Sequence, residues 1–297
     1  MNITIDTAQN IGKRNEQQDA FGTSTALSGE FTDHGGVLAV VADGMGGLQG
    51  GALASLAAVK TFIESYAGKE RSEDIETALK RSIVAANDAV HTTAEENGFG
   101  DNCGTTLIAA VLHESGIYWV YAGDSRIYLT DGKALQQLTE DQIYARRLMQ
   151  AAEKGLVDKE LAKTHPQREA LTSYLGDKTI DEIGFGALKG SVPKGVTLLL
   201  CTDGLYKFLE EGSILEICSK NRLTPAKELI AAALAKGHRS QDNITAVTMY
   251  NEKPADSVKT QEIPETKREK SLAAGFSLSR LVKRSFSFAA RKNRKKD

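Results

Sequence analysis

Short apolar runs, each halted by glycine or aspartate, alternate along most of the 297 residues with longer stretches of helical period. Val37-Leu38-Ala39-Val40-Val41-Ala42 is uninterruptedly apolar and stops at Asp43-Gly44, which reads as a buried strand closed by a turn. Residues 50–66 then show a helical repeat with Leu53, Leu56, Ala57, Val59 and Phe62 near one face. A second helix is expected from Ser72, whose hydroxyl could cap it, through Ile75, Leu79, Ile83 and Ala86 to about Val90. After Gly98 the period shortens. Strands are expected at Thr105–Leu112, Ile117–Ala122, Arg126–Leu129 and Leu135–Leu138, separated by Glu114-Ser115-Gly116, Gly123-Asp124 and Asp131-Gly132 turns.

The stretch from about Asp141 to Arg168 is polar and mainly helical, with few residues to anchor a core. Val196–Cys201 is another apolar strand running into Asp203-Gly204. Residues 225–236 form an amphipathic helix with Pro225 at its start, and Asn243–Tyr250 is a closing strand. Paired helices between runs of antiparallel strands predict an α+β fold rather than alternating βα units. From Glu252 the texture becomes that of a linker, so the domain is expected to span 1–251 and residues 252–297 to be a separate tail.

Composition sharpens this division. Of 37 Lys and Arg and 39 Asp and Glu, the tail holds 13 and 6, which leaves the body with 24 against 33. An acidic body argues against a nucleic-acid reader, which presents a basic face. No run of 18 apolar residues exists, and the first residues have neither a basic nor an apolar leader region, so a cytoplasmic protein is expected. Three cysteines (Cys103, Cys201, Cys218) match no zinc or redox spacing and are expected as buried thiols.

Four aspartates stand where a strand meets a loop: Asp43, Asp124 and Asp203 after strands, and Asp242 before one. Each alone is an ordinary turn residue. If they converge, they cannot all stay ionised without a counter-charge, because neighbouring like charges raise each other's pKa. An all-oxygen cluster without His or thiolate suits hard cations such as Mg²⁺ or Mn²⁺. None of the five histidines forms a ligand-spaced pair, which disfavours zinc. Gly44 lacks a Cβ, so its carbonyl can approach a metal, whereas Asp43-Gly44-Met45-Gly46-Gly47 is no Walker loop because no Gly-Lys-Ser/Thr follows.

With these residues in view, the chain over about 1–251 resembles the PP2C (PPM) family of metal-dependent protein serine/threonine phosphatases, in particular its bacterial branch. Arg14-Asn15-Glu16-Gln17-Gln18-Asp19 resembles the opening motif, Asp43 to Gly47 the DGMGG motif, and Gly104-Thr105-Thr106 the GTT strand. Gly123-Asp124-Ser125-Arg126 resembles the GDSR turn, Leu138 to Gln142 the LTxDH segment and Leu171 to Gly176 the LTRALG segment. Thr202-Asp203-Gly204-Leu205 and Asp242-Asn243-Ile244-Thr245 complete eight motifs in family order.

The resemblance implies a four-layer α/β/β/α sandwich, two antiparallel sheets flanked by helices, with a flap at about 142–170. It implies hydrolysis of phosphoserine and phosphothreonine by a water bridged between two divalent cations, Mn²⁺ or Mg²⁺. Asp43 would bridge the pair, with the Gly44 carbonyl as a further ligand, and Asp203 and Asp242 would hold the first metal. Asp124, with Asp203, would hold a third, weaker one. Arg14 would grip the substrate phosphate, Asp19 would orient metal-bound water, and Asn243 would support the Asp242 loop.

Several positions depart from the family pattern. Gln18 stands where Glu is frequent, which loses a charge near the second metal. Met45 stands where eukaryotic relatives carry a His general acid. Gln142 replaces the His of LTxDH, and Ser173-Tyr174 replaces Arg-Ala, both beside the flap, where substrate handling is affected. No Cys-x5-Arg motif of cysteine phosphatases is present.

Phosphorylated protein substrates of a Ser/Thr kinase are the expected partners. The alternatives are a pseudophosphatase binding module, a phosphatase specialised for one regulator, and a metal-dependent phosphodiesterase or nuclease, the last disfavoured by motif order. Outside the resemblance, residues 271–296 combine eight Lys and Arg with Leu272, Phe276, Leu278, Leu281, Val282, Phe286 and Phe288. Such a tail is either disordered or an amphipathic basic helix that would bring the protein to an anionic membrane or an acidic partner, with Ser277, Ser279, Ser285 and Ser287 as kinase targets.

Overall fold

The computed structural model describes residues 1–24, 29–45, 50–100 and 103–252. Gly46, Gly47 and the tail expected to act at a membrane or partner lie outside these residues, apart from Glu252. Two antiparallel sheets face each other. The first orders β1 (Ile3–Asn10), β11 (Ile244–Asn251), β10 (Thr197–Cys201), β7 (Arg126–Thr130) and β8 (Leu135–Gln137) as β1-β11-β10-β7-β8. The second orders β2 (Asp19–Thr23), β3 (Val37–Met45), β5 (Leu107–His113), β6 (Gly116–Ala122) and β9 (Gly184–Lys189) as β2-β3-β5-β6-β9, with the short β4 (Gly104–Thr105) also paired to β3.

The period of two along each strand builds the layers. Leu38, Val40 and Ala42 of β3 point to one hydrophobic cluster together with Leu107, Ala109 and Val111 of β5. That cluster is covered by α2 (Gly50–Ala67) and α3 (Ile75–Glu96). The alternate residues Ala39, Val41, Ile108 and Ala110 face the first sheet's Leu198, Leu200, Val247 and Met249, forming the core between the sheets. On the far side of the first sheet, Leu199, Cys201, Ile244 and Ala246 pack against α6 (Asp203–Tyr206), α7 (Glu211–Lys220) and α8 (Ala226–Ala235). The result is the four-layer α/β/β/α sandwich. α1 (Gly29–Gly35) leads into β3, and the expected flap carries α4 (Tyr144–Glu153) and α5 (Lys159–Thr164) over a small cluster of Leu148, Ala152 and Ala162.

Local expectations differ from the structure in three ways. Asp43-Gly44 does not end its strand: β3 runs on to Met45, with Asp43 opposite Asp19 and Gly44 opposite Thr105. Asp74, not Ser72, caps α3 by accepting from the Thr77 amide, because Ser72 lies a further two residues upstream and bonds Glu70. The buried face of α2 is made of Ala54, Ser55, Ala58, Val59, Phe62 and Ile63, whereas Leu53 and Leu56 are exposed. The three cysteines are free and buried, as expected. Among the described residues no helix is long and apolar enough to cross a membrane.

Candidate metal centre

Strand direction gathers the acids. Asp43 lies near the C-terminal end of β3, Asp124 just past β6 and Asp203 just past β10; Asp19 opens β2 and Asp242 precedes β11. Because the pairings are antiparallel, with Asp19 opposite Asp43, Leu107 opposite Ala122 and Cys201 opposite Ala246, these five positions fall at one end of the sandwich.

Their electrostatics record the crowding. Burial pushes the Asp43 carboxyl well above the usual range, and the charges of Asp19, Asp203, Asp124 and Asp242 push it further. Asp19 is raised to about 7, first by burial, although the hydroxyls of Thr202 (2.9 Å) and Thr245 (2.7 Å) donate to its Oδ2. Asp124 is raised to about 6 by burial and by Asp203. Among the described residues no trio of His, Cys, Asp or Glu is drawn together closely enough to hold one ion. The acids instead take protein cations: Arg14 Nη2 lies 2.6 Å from Asp242 Oδ2, and Lys207 Nζ lies 2.6 Å from Asp203 Oδ2.

The donor set nonetheless fits hard divalent cations. Among the described residues, Asp19 Oδ1 and Asp203 Oδ1 are buried oxygens with no hydrogen-bond partner, and a carboxylate oxygen left in that state is costly without a cation or an ordered water. The backbone around Gly44 is as close as chain can come. A Cβ on Gly44 would stand 2.1 Å from the Gly51 carbonyl oxygen and 2.5 Å from that of Gln18, so only glycine permits the convergence. Gly204 is fixed in the same way, since a Cβ there would meet the Asn243 carbonyl oxygen at 2.0 Å.

The loops are tied by amides. Asn243 Nδ2 donates to the carbonyls of Ile11 and Glu16, and its Oδ1 accepts from the Gln18 amide. Asn243 thereby links the Arg14 loop to Asp242. The Gln18 side chain turns to Glu16, 3.2 Å away. Gln142 lies beside the flap as expected, but it is fully buried and its Oε1 accepts from the Gly123 amide at 2.7 Å. Its visible contact is therefore to the Asp124 turn rather than to an open substrate surface.

Sequence reasoning missed the residues that surround the acids. Thr202 and Thr245 sit inside quoted motifs, beside Asp203 and Asn243, yet only the fold shows both hydroxyls on Asp19. Arg126 grips Asp141 at 2.9 and 2.6 Å and stacks 3.7 Å over the Tyr206 ring, whose hydroxyl donates to Asp124. Lys207 had no sequence signal apart from standing four residues after Asp203.

The family model for protein phosphatase 2C matches residues 8–241. The chain is 33% identical over 228 residues to the serine/threonine phosphatase stp of Listeria monocytogenes, covering 72% of this chain and 88% of that protein. It superposes on the serine/threonine phosphatase PstP/Ppp of Mycobacterium tuberculosis with a TM-score of 0.68 and 27% identity, over 84% of this chain and 99% of that one. A catalytic domain of PstP solved with 2 manganese ions has the same fold at a TM-score of 0.66, with 24% identity over 85% of this chain and 100% of that one.

Proposed function

The chain belongs to the protein phosphatase 2C family, and from that premise we propose that it hydrolyses phosphoserine and phosphothreonine in protein substrates with two divalent cations, Mn²⁺ or Mg²⁺. The observation that carries the reading is the set of five carboxylates at one end of the sandwich, with buried oxygens on Asp19 and Asp203 that none of the described residues satisfies. Asp43, the Gly44 carbonyl, Asp203 and Asp242 would hold the cations. The chemistry these supply when bound is activation of a water and neutralisation of the phosphate charge. Without them an acidic cleft would repel a near-dianionic ester.

The chain's own residues do the rest. Asp19 is clamped through Oδ2 by two hydroxyls, which leaves Oδ1 to accept from a water and fix its direction. Asn243 holds the Arg14 and Asp242 loops at a constant separation. Arg14 is more than half exposed on its side chain and rests on Asp242, so it can turn its planar fork to two phosphate oxygens. Residues 1–251 would form the catalytic unit, with the basic stretch 271–296 as a separate element for an anionic membrane or an acidic partner.

Arg14→Ala is expected to lower kcat/KM on a phosphothreonine peptide by about 10- to 100-fold, from the worth of one hydrogen bond to a charged group. Most of the loss should lie in KM, and Arg14→Lys should recover part of it. Steady-state phosphate release on the three proteins checks this. A loss confined to kcat, with KM unchanged in both variants, would show that Arg14 does not grip the substrate.

A further inference from the structure

A third cation, expected from the resemblance between Asp124 and Asp203, meets a residue of this chain already in its place. Lys207 caps the C-terminal end of α6 in helical geometry, and its amide donates to the Asp203 carbonyl. It stands four positions after Asp203, so the two side chains share one helix face. Its Nζ stands 2.6 Å from Asp203 Oδ2 and 3.8 Å from Asp124 Oδ2. Asp203 and Asp124 are 19% and 11% exposed, and the Lys207 side chain is itself 38% exposed, so the contact is largely shielded from water.

The oxygens divide accordingly. Asp203 Oδ2 faces the ammonium, while Asp203 Oδ1 is buried and has no hydrogen-bond partner among the described residues. Asp124 Oδ2 is shared between Lys207 and the Tyr206 hydroxyl at 3.3 Å. We propose that the Lys207 ammonium is the built-in occupant of the third cation position, so that this chain takes up two divalent cations and not three. The proposal rests on the reading of Asp43, Asp203 and Asp242 as the holders of the first two. A tethered cation cannot diffuse away, and a divalent ion approaching Asp124 would have to displace it from both carboxylates against its charge. Asp124 then serves as the counter-ion of Lys207.

Equilibrium dialysis against millimolar Mn²⁺, with metal analysis of the protein, reads the stoichiometry independently of turnover. Wild type is expected to saturate at two ions per chain and Lys207→Ala at three, and the Lys207→Ala/Asp124→Asn double variant should return to two. Lys207→Gln, which keeps most of the stem and loses the charge, should also reach three and stands in if the alanine variant misfolds. Three ions on wild type, or two on folded Lys207→Ala and Lys207→Gln alike, would overturn the assignment. No uptake by wild type would sink the two-cation reading and this inference with it.

Discussion

Asp43→Asn is expected to abolish turnover, by at least about 10³-fold, and at the same time to raise the melting temperature of the metal-free protein near pH 8. The first effect follows from the proposed role of Asp43, buried among Asp19, Asp203, Asp124 and Asp242, as a residue that would hold the cations. The second follows from burial. Asp43 is surrounded by the charges of Asp19, Asp203, Asp124 and Asp242, while Arg14 and Lys207 pair with Asp242 and Asp203. An amide keeps the shape and removes one buried like charge, a relief of about 1–3 kcal/mol. For a domain of this size that corresponds to a rise of roughly 2–10 °C. Function and stability are thus opposed at one residue, as expected where acids are gathered for a ligand rather than for the fold. Differential scanning calorimetry in EDTA, beside phosphate release in Mn²⁺, checks both signs. A variant that melts lower in EDTA would contradict the crowding.

The metal-free protein should lose stability as pH rises from about 4 to about 7. Asp19 is raised from 3.8 to about 7 and Asp124 to about 6, both chiefly by burial. Below pH 4 each is protonated whether the chain is folded or not. Between that pH and the raised value the unfolded chain releases the proton and the folded chain keeps it, so unfolding is progressively favoured. For Asp19 alone the full loss is on the order of 4 kcal/mol above pH 7. Saturating Mn²⁺ should oppose this trend, because a cation binds the ionised form. Melting curves in EDTA from pH 5 to 8 should therefore fall with pH, and Asp19→Asn should flatten them. A melting temperature that climbs across that window in EDTA would show that the acids are not buried together.

How much of this was legible beforehand depended on burial. The buried runs, such as Leu38–Ala42 and Thr197–Cys201, declared themselves as strands. Of the edge strands, β8 was legible, but β1, β2 and β9 were not. β1, at the margin of its sheet, is half-buried throughout and reads as a mixed polar segment. β9 carries Gly184 and Gly186, which in linear form resemble turn residues. In the fold they leave room for the rings of Tyr121 and Trp119, each of which would lie 2.1 Å from an added Cβ. α7, with its Glu-Gly-Ser start, was also missed.

Asp43, Asp124, Asp203 and Asp242 were legible because each stands beside an apolar run, and Asp19 was legible through the motif order that pointed to a family. The cations and hydroxyls around them were not, because Arg126, Lys207, Thr202 and Thr245 acquire meaning only when β10 and β11 pair and α6 begins at Asp203. Gln142 was legible as a departure, but its contact to Gly123 follows from the turn geometry alone.

The most direct test of the central claim is hydrolysis of p-nitrophenyl phosphate and a phosphothreonine peptide by wild type and Asp203→Asn, each in Mn²⁺, Mg²⁺ or EDTA. The account predicts turnover by wild type only with a divalent cation, and its collapse in Asp203→Asn under every condition. Turnover that persists in EDTA or survives in Asp203→Asn would contradict it, as would folded, Mn²⁺-loaded wild type that hydrolyses neither substrate.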